Sequence, residues 1–459
     1  MVNLSYYALV GTGHGGISMR SVSWKIRTLV GAVALAAGMI WSAVPASAAT
    51  GPPSSTPAFN TPQLAPNGTT EQVRQIAQCG NTMYAVGTFT AITQGGATFP
   101  RNNVFSFSAS KPYTMTSWNP NVNGIVNGIA FSPDCSTAYL GGKFSTVGGV
   151  AAKNIAAVST STGALITAFG HSAAGQVETL QYYNGHILTG GYYTSINNSS
   201  ANPYMTSLNP ATGKDDGFIH LSISGNYQFP GVSDNPTRVY NQQLSNGGTL
   251  DMVEGDFTSV GGQPRQQMFM LNLSGPTATV TGWTSPELNT NCNFNESFYA
   301  QAAAWSPDDS TIYVATTGYK PEGTPAGATP RTGPCDAAIA YPATQTSVTH
   351  TWINYTGCDS LYSAAADSST AYFGGHERWS ENPNDCDAQG PGAIPAPGME
   401  GLSPTTGALT YNPTRGRGLG ADDMLLTSAG LWIASDNFEG TSMCGGLDNR
   451  AGVCFFPYS

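Results

Sequence analysis

The chain has 459 residues, of which 55 are Gly, 30 are Pro and only 44 (17 Lys and Arg, 27 Asp and Glu) carry full charge. That charged share, 10% against about 25% in ordinary soluble domains, excludes a coiled coil, and Gly and Pro at this density would break long helices every few residues. Aromatic residues at 10% supply enough apolar surface for a core, which excludes a disordered chain and leaves a β-rich exported protein as the class.

The first element is a leader. Arg20, Lys25 and Arg27 precede an apolar run from Thr28 to Trp41, followed by Ala46-Ser47-Ala48, a small-residue cleavage site. The run is too short to span a bilayer, and no later segment is long enough to try. Residues 1–48 read as a signal peptide, with Met19 as an alternative start, and a mature chain of 411 residues begins near Ala49. It carries a net charge of −13, because the leader takes three bases and no acids with it. A secreted acidic protein is a poor partner for nucleic acid or anionic lipid, and neither is expected.

Residues 49–56 read as a short linker, and 57–459 as one repeat domain. The repeated phrase is a short apolar strand, a Gly-containing corner and an aromatic: Met83–Phe89, Ala138–Phe144, Ile187–Tyr193 and Met252–Phe257, with weaker copies at Ile312–Tyr319, Ala371–Glu377 and Leu431–Phe438. Equivalent positions fall at 88, 143, 192, 256, 318, 376 and 437, a period of about 58 residues. Each copy has an earlier strand with an apolar residue near its start, closed by a turn such as Ser132-Pro-Asp134 or Ser306-Pro-Asp308. Pro and Asp suit a tight turn. A third strand follows, such as Asn154–Val158, then Thr-Gly at 162–163, 212–213 or 406–407, and a fourth strand ending on an aromatic such as Trp118, Phe169, Trp283, Trp352 or Tyr411. Four antiparallel strands repeated seven times predict an all-β, seven-bladed β-propeller. The last copy stops after its third strand, so residues 57–62 are expected to supply its fourth and to close the ring through the two termini, which removes exposed strand edges. A disordered 57–62 is the alternative.

The phrase Gly141-Gly-Lys-Phe-Ser-Thr-Val-Gly-Gly149, with Asn154-Ile-Ala-Ala157 and Thr162-Gly163, is echoed by Gly255-Asp-Phe-Thr-Ser-Val-Gly-Gly262. It resembles the "delta-sixty" propeller repeat of secreted actinobacterial proteins, which is itself similar to that of the fungal cell-surface cortical markers. The resemblance covers about 60 to 457, and it implies a secreted propeller without established catalytic residues.

The eight cysteines, an even count in an exported chain, read as disulfides. Parallel positions in copies five and six suggest Cys292–Cys335 and Cys358–Cys386, the last loop suggests Cys444–Cys454, and Cys79–Cys135 is left by elimination. The long connections at 319–336 and 376–398 lie on the variable face, where binding residues concentrate. The richest contains His376, Glu377, Arg378, Trp379, Glu381, Asp385 and Asp387, with Tyr319 on its neighbour. Trp379 with the carboxylates suits a glycan, and Asp385 with Asp387 suits Ca²⁺; a solvated, disulfide-pinned loop is the other reading. A second candidate is a polar ring at the positions just after the early apolar residue: Arg74, Asn127, Glu178, Tyr240 and Asp423. Its alternative is a water-filled channel whose side chains satisfy one another.

G-x-S-x-G, H-E-x-x-H and the phosphate-binding loop are absent, and Gly11–Gly16 satisfies G-x-G-x-x-G only ahead of the leader, without a βαβ unit. No enzyme, metal centre or organic cofactor is expected. The function expected is a monomeric extracellular binding scaffold for a glycan, a wall component or a protein. The alternative is a carbohydrate-active hydrolase or lyase using Glu377 or Glu381.

Overall fold

The computed structural model describes residues 51–226, 236–290, 298–318, 333–344, 346–357, 359–383, 388–413, 420–437, 443–444, 447–448 and 451–458. Regular structure among them is β throughout, apart from a 3-10 turn at Pro286–Asn289. Seven sheets among the described residues share one plan. Their first strands are Gln72–Cys79, Ile125–Phe131, Val177–Tyr183, Arg238–Leu244, Phe298–Trp305, Leu361–Ala366 and Ala421–Thr427. Each pairs antiparallel with a second strand, which pairs with a third. Consecutive first strands pack side by side, and Gln72–Cys79 also packs against Ala421–Thr427. The apolar core is divided among the interfaces between sheets, as where Tyr84 and Val86 meet Val126, Ile129 and Leu140.

The fourth strand departs from expectation. It forms a ladder at Thr279–Val280, Trp352–Tyr355 and Leu409–Tyr411, but in the first three sheets it is reduced to the single bridges Phe107 to Met115, Val158 to Leu165 and Leu208 to Asp215. An outermost strand has a ladder on one side only, and side chains replace part of it: the Gln94 amide accepts from Met115 N at 3.0 Å and donates to Tyr113 O at 2.7 Å.

The Gly corner of the repeat has a specific cause. All seven first strands carry a β-bulge at the same register, one residue after a buried apolar residue: Arg74 after Val73, Asn127 after Val126, Glu178 after Val177, Tyr240 after Val239, Gln301 after Ala300, Tyr362 after Leu361 and Asp422 after Ala421. The residue opposite is Gly in five sheets. A Cβ on Gly142 would stand 2.1 Å from Ile125 O, and one on Gly87 would stand 2.0 Å from Gln72 O. The glycine is therefore there for close backbone approach. In the other two sheets Thr316 and Ser435 fill this place.

An Asn before the third strand joins the first sheet to the second and the second to the third. Asn103 and Asn154 precede the third strand at φ 65° and 66°, a left-handed conformation that Asn tolerates. The Asn154 carboxamide oxygen accepts from Phe144 N at 3.1 Å, and its nitrogen donates to Ala173 O and Gly175 O, both at 3.0 Å, at the entrance to the third sheet. Asn103 accepts from Phe89 N at 3.0 Å and donates to Val122 O at 2.8 Å. Asn154→Ala strands three backbone groups, two of them buried, and the expected loss is ~2–4 kcal/mol. It is checked as a lower urea midpoint at unchanged slope; a shift within error would refute the linking role.

Aromatic residues of the outer segments hand on in the same direction. The indole N–H of Trp118 donates to Ser159 O at 3.0 Å, that of Trp283 to Pro342 O at 3.0 Å, and that of Trp352 to Pro404 O at 2.9 Å. The hydroxyl of Tyr411 reaches Ser54 O at 3.1 Å.

Ser54, inside the expected linker, is thus held by structure. Ser54 N donates to Pro457 O at 2.8 Å, Ala58 N to Phe455 O at 2.8 Å, and Val453 N to Pro62 O at 3.2 Å. The Thr61 hydroxyl adds a bond to Val453 O at 2.6 Å. Phe455 stacks on Trp432 with ring centroids 3.9 Å apart.

Among the described cysteines, disulfides join Cys79 to Cys135 and Cys444 to Cys454, with Cα separations of 5.8 and 6.3 Å. Cys335 is disulfide-bonded as well, whereas Cys292, Cys358 and Cys386 lie outside the described residues. The expected Ser-Pro-Asp turns are closed by their acids: Asp134 accepts from Ser132 Oγ at 2.5 Å and Ser136 Oγ at 2.8 Å, and Asp308 repeats this with Ser306 and Ser310 at 2.6 and 2.8 Å. No helix among the described residues is long and apolar enough to cross a membrane.

Candidate functional site

A classic bulge leaves its extra residue without a ladder partner and turns its side chain away from the regular alternation. Here all seven bulged residues line one cavity of about 1170 Å³. The cavity runs from Gln72 and Gln176, at the start of the first strands, to Asn246, Trp305 and Leu426 beyond or at their ends. Its girdle, in sheet order, is Arg74, Asn127, Glu178, Tyr240, Gln301, Tyr362 and Asp422.

The charged groups occupy one side. Glu178 accepts from Asn127 Nδ2 at 2.9 Å and from Gln176 Nε2 at 3.1 Å. Burial pushes its carboxyl upward, and the charges of Arg238 and Arg74 oppose the shift. Arg238 lies over the ring of Tyr240, 5.2 Å from its centroid. Asp422 accepts from Gln72 Nε2 at 2.6 Å; burial, then the charge of Asp436, raises it well above the carboxylate range. His376 Nε2 meets Asp436 Oδ2 at 3.0 Å, and the Tyr362 ring packs edge-on against His376 at 5.8 Å. The other side is neutral, built from Ala302, Ala303, Ala304, Ala364, Ala365 and Ala366 with Gln301 and Tyr362.

Residues one step beyond the bulge tie neighbouring sheets together. Gln75 Oε1 accepts from Ile129 N at 2.6 Å, the Ser363 hydroxyl donates to Ala421 O at 2.7 Å, and Asp423 Oδ2 accepts from Ile76 N at 2.9 Å. Burial raises Asp423 to about 7.

Of the expected ring, Arg74, Asn127, Glu178 and Tyr240 occupy the bulges. Asp423 lines the same cavity, but its carboxylate is engaged with the first sheet, and the bulged residue is Asp422. The early apolar residue is Val in the first four sheets, then Ala300, Leu361 and Ala421. Val no longer marks the place in these last three sheets, so the expected ring takes Asp423 in place of Asp422 and omits Gln301 and Tyr362. The Gly or small hydroxyl residue opposite the bulge was the signal that could have aligned them.

The expected loop site is divided among three places. His376 lines the cavity. Glu377 is fully buried. Arg378 Nε lies 3.6 Å from Asp359 Oδ2, and its guanidinium sits over Trp379, 5.4 Å from the ring centroid. Trp379–Ser380 pairs with Ile394–Pro395 in a small hairpin, and Glu381 Oε1 accepts from Leu409 N at 2.9 Å. The expectation of one open polar cluster is therefore corrected: the strand Ala371–Gly375 ends at a bend at His376, and His376 and Arg378 go to different partners, Asp436 and Asp359. Tyr319, Asp385 and Asp387 lie outside the described residues. Among the described residues no group of three or more His, Cys, Asp or Glu is arranged to hold a metal ion.

No family model matches the chain, and no curated protein matches it. Similar solved structures include that of U3-55K, 8% identical with a TM-score of 0.48, covering 89% of this chain and 100% of the other. Another is the WD40 beta propeller domain of Doa1, 8% identical with a TM-score of 0.41, covering 87% and 96%.

Proposed function

We propose that this chain is a secreted, seven-bladed β-propeller that binds an extracellular ligand without transforming it. The observation that carries the reading is the single cavity to which all seven first strands contribute. Cyclic packing of those strands, from Gln72–Cys79 round to Ala421–Thr427 and back, supports seven blades. The bonds of Ser54, Ala58 and Pro62 to the last strand support closure by the two ends of the chain. Export is supported by the leader of residues 1–48 and by disulfides in the folded part, since such bonds persist in oxidising compartments. The hydrolase or lyase reading draws less support: Glu377 is buried, and Glu381, which is exposed, accepts from Leu409 N and stands apart from the cavity.

The ligand is a glycan, a wall component or a protein, and the test is retention. The secreted chain is passed over immobilised polysaccharides, cell-wall fractions and extracellular proteins, with mass spectrometry of every eluate. Saturable retention with intact ligand is the expected result. Shortened products would overturn the non-catalytic reading, and retention by nothing would overturn the binding role.

A further inference from the structure

We infer that the girdle of bulged side chains is a binding site for the end of an uncharged, polyhydroxylated chain, chemically a neutral oligosaccharide. The inference rests on the binding-scaffold reading and specifies its ligand. A bulge is retained where a side chain must be re-aimed, and this one recurs in all seven first strands although the residue it carries differs widely. Sheet packing alone does not ask for Arg, Glu or Tyr at such a place.

The chemistry of the girdle selects among ligands. An anion would meet Glu178, Asp422 and Asp436, and a cation would meet Arg74 and Arg238. These charges face one another and compensate within the wall, so neither sign of ligand is favoured. Hydroxyl groups both donate and accept, and a girdle of guanidinium, carboxamide, carboxyl and phenol offers both partners in alternation. Three polar atoms of these residues, Asn127 Oδ1, Arg74 Nε and the Tyr240 hydroxyl, meet no hydrogen-bond partner among the described residues and are closed to solvent, so a ligand reaches them only as the side chains turn toward it. Buried polar atoms of this kind call for a water or a ligand. The alanine-lined side, with Tyr362, gives the apolar ring face of a sugar a surface to lie on. Its polar edge then reaches the charged side. The volume, about 1170 Å³, slightly exceeds the ~300–1,000 Å³ of ordinary ligand pockets, which suits a few sugar units with water.

The test is calorimetric titration of the full secreted chain with neutral tetrasaccharides: cello-, manno-, xylo- and chitotetraose. At least one is expected to bind at one site per chain. Glu178→Gln is expected to weaken it about tenfold or more and Tyr240→Phe about three- to tenfold, the range for losing a hydrogen bond in a desolvated site. Trp379→Ala, in the outer hairpin, should leave the affinity unchanged. Melting temperatures within error of the parent establish that the two girdle variants fold. Binding that survives both girdle changes and disappears in Trp379→Ala would overturn the girdle as the site while keeping the scaffold reading. Silence toward every sugar, with retention by wall fractions or proteins, would overturn the ligand class alone. Silence toward everything would remove both.

Discussion

Between pH 5 and pH 8.5 the folded chain is expected to lose stability, with a fall in Tm of about 5–10 °C. The cause is a set of carboxyls that burial holds in the protonated form. Glu254 is fully buried on the second strand of the fourth sheet, at the register filled elsewhere by Val86, Gly141, Gly190, Ala315, Gly374 and Ala434. Neither of its carboxyl oxygens meets a hydrogen-bond donor among the described residues. Burial, with the Asp251 charge adding to it, raises Glu254 well above its ordinary value, and burial raises Asp251 as well. Glu400 is pushed up to about 8 by burial, and Asp423 to about 7. A carboxyl that holds its proton more tightly when folded contributes stability fully present below the unfolded value near 4, and that contribution is lost as the pH rises through the folded value. For Glu400 and Asp423 the window therefore runs from about pH 4 to about pH 8. Asp134 and Asp308 act oppositely. Hydrogen bonds from Ser132 and Ser306 lead the causes that hold them low, so their share is lost only as the pH falls through those depressed values. Optimum stability should lie in mildly acidic solution. Glu254→Gln keeps the shape and removes the ionisation, and the pH-dependent fall should shrink by about 2–4 °C. A Tm that climbs from pH 5 to 8.5, or an unchanged slope in Glu254→Gln, would contradict the account.

Removing residues 49–64 should cost more than any single substitution. The strand Val453–Pro457 pairs on one side with Gly430–Ser435, and on the other it is bonded by Ser54, Ala58, Thr61 and Pro62. Ala58 and Leu64 belong to the same apolar cluster as Trp432, Phe455 and Phe456. Without the segment the last strand becomes an open edge bearing Phe455 and Phe456, a template for pairing between chains. A fall in Tm of more than about 10 °C, or conversion to oligomers, is the expected outcome in light scattering and calorimetry. A peptide of residues 51–64 added in trans should restore the monomer by strand addition. A truncated chain that stays monomeric with parental Tm would refute closure through the two ends.

Much of this architecture was legible in the chain because its signals are local and repeated. Gly at the corner answers one backbone demand, and its recurrence at about 58 residues made it visible, while Asp in the two Ser-Pro-Asp turns answers another. The disulfide Cys444–Cys454 was readable from its place in the last loop, and Cys79–Cys135 followed by elimination. The loop cluster was not. His376, Glu377 and Arg378 are adjacent in sequence, but a turn of the chain and a partner at long range decide where each goes: Asp436 for His376 and Asp359 for Arg378. Asp422 and Asp423 show the finest limit. Both are acidic neighbours on one strand, and only the register against Ser435 and Ala434 tells which one bulges.

The bulge also frees what faces the cavity from what builds the sheets. The residue before it is apolar and buried in every copy, and the residue after it in several copies bonds across to the next sheet, whereas the bulged residue itself belongs to no ladder. Arg, Asn, Glu, Tyr, Gln, Tyr and Asp therefore occupy one backbone environment in a single molecule. Mutation can rewrite this seven-letter surface one position at a time while foldability is held elsewhere. The scaffold is in that sense a natural combinatorial library, able to drift from one specificity to another without passing through an unfolded intermediate.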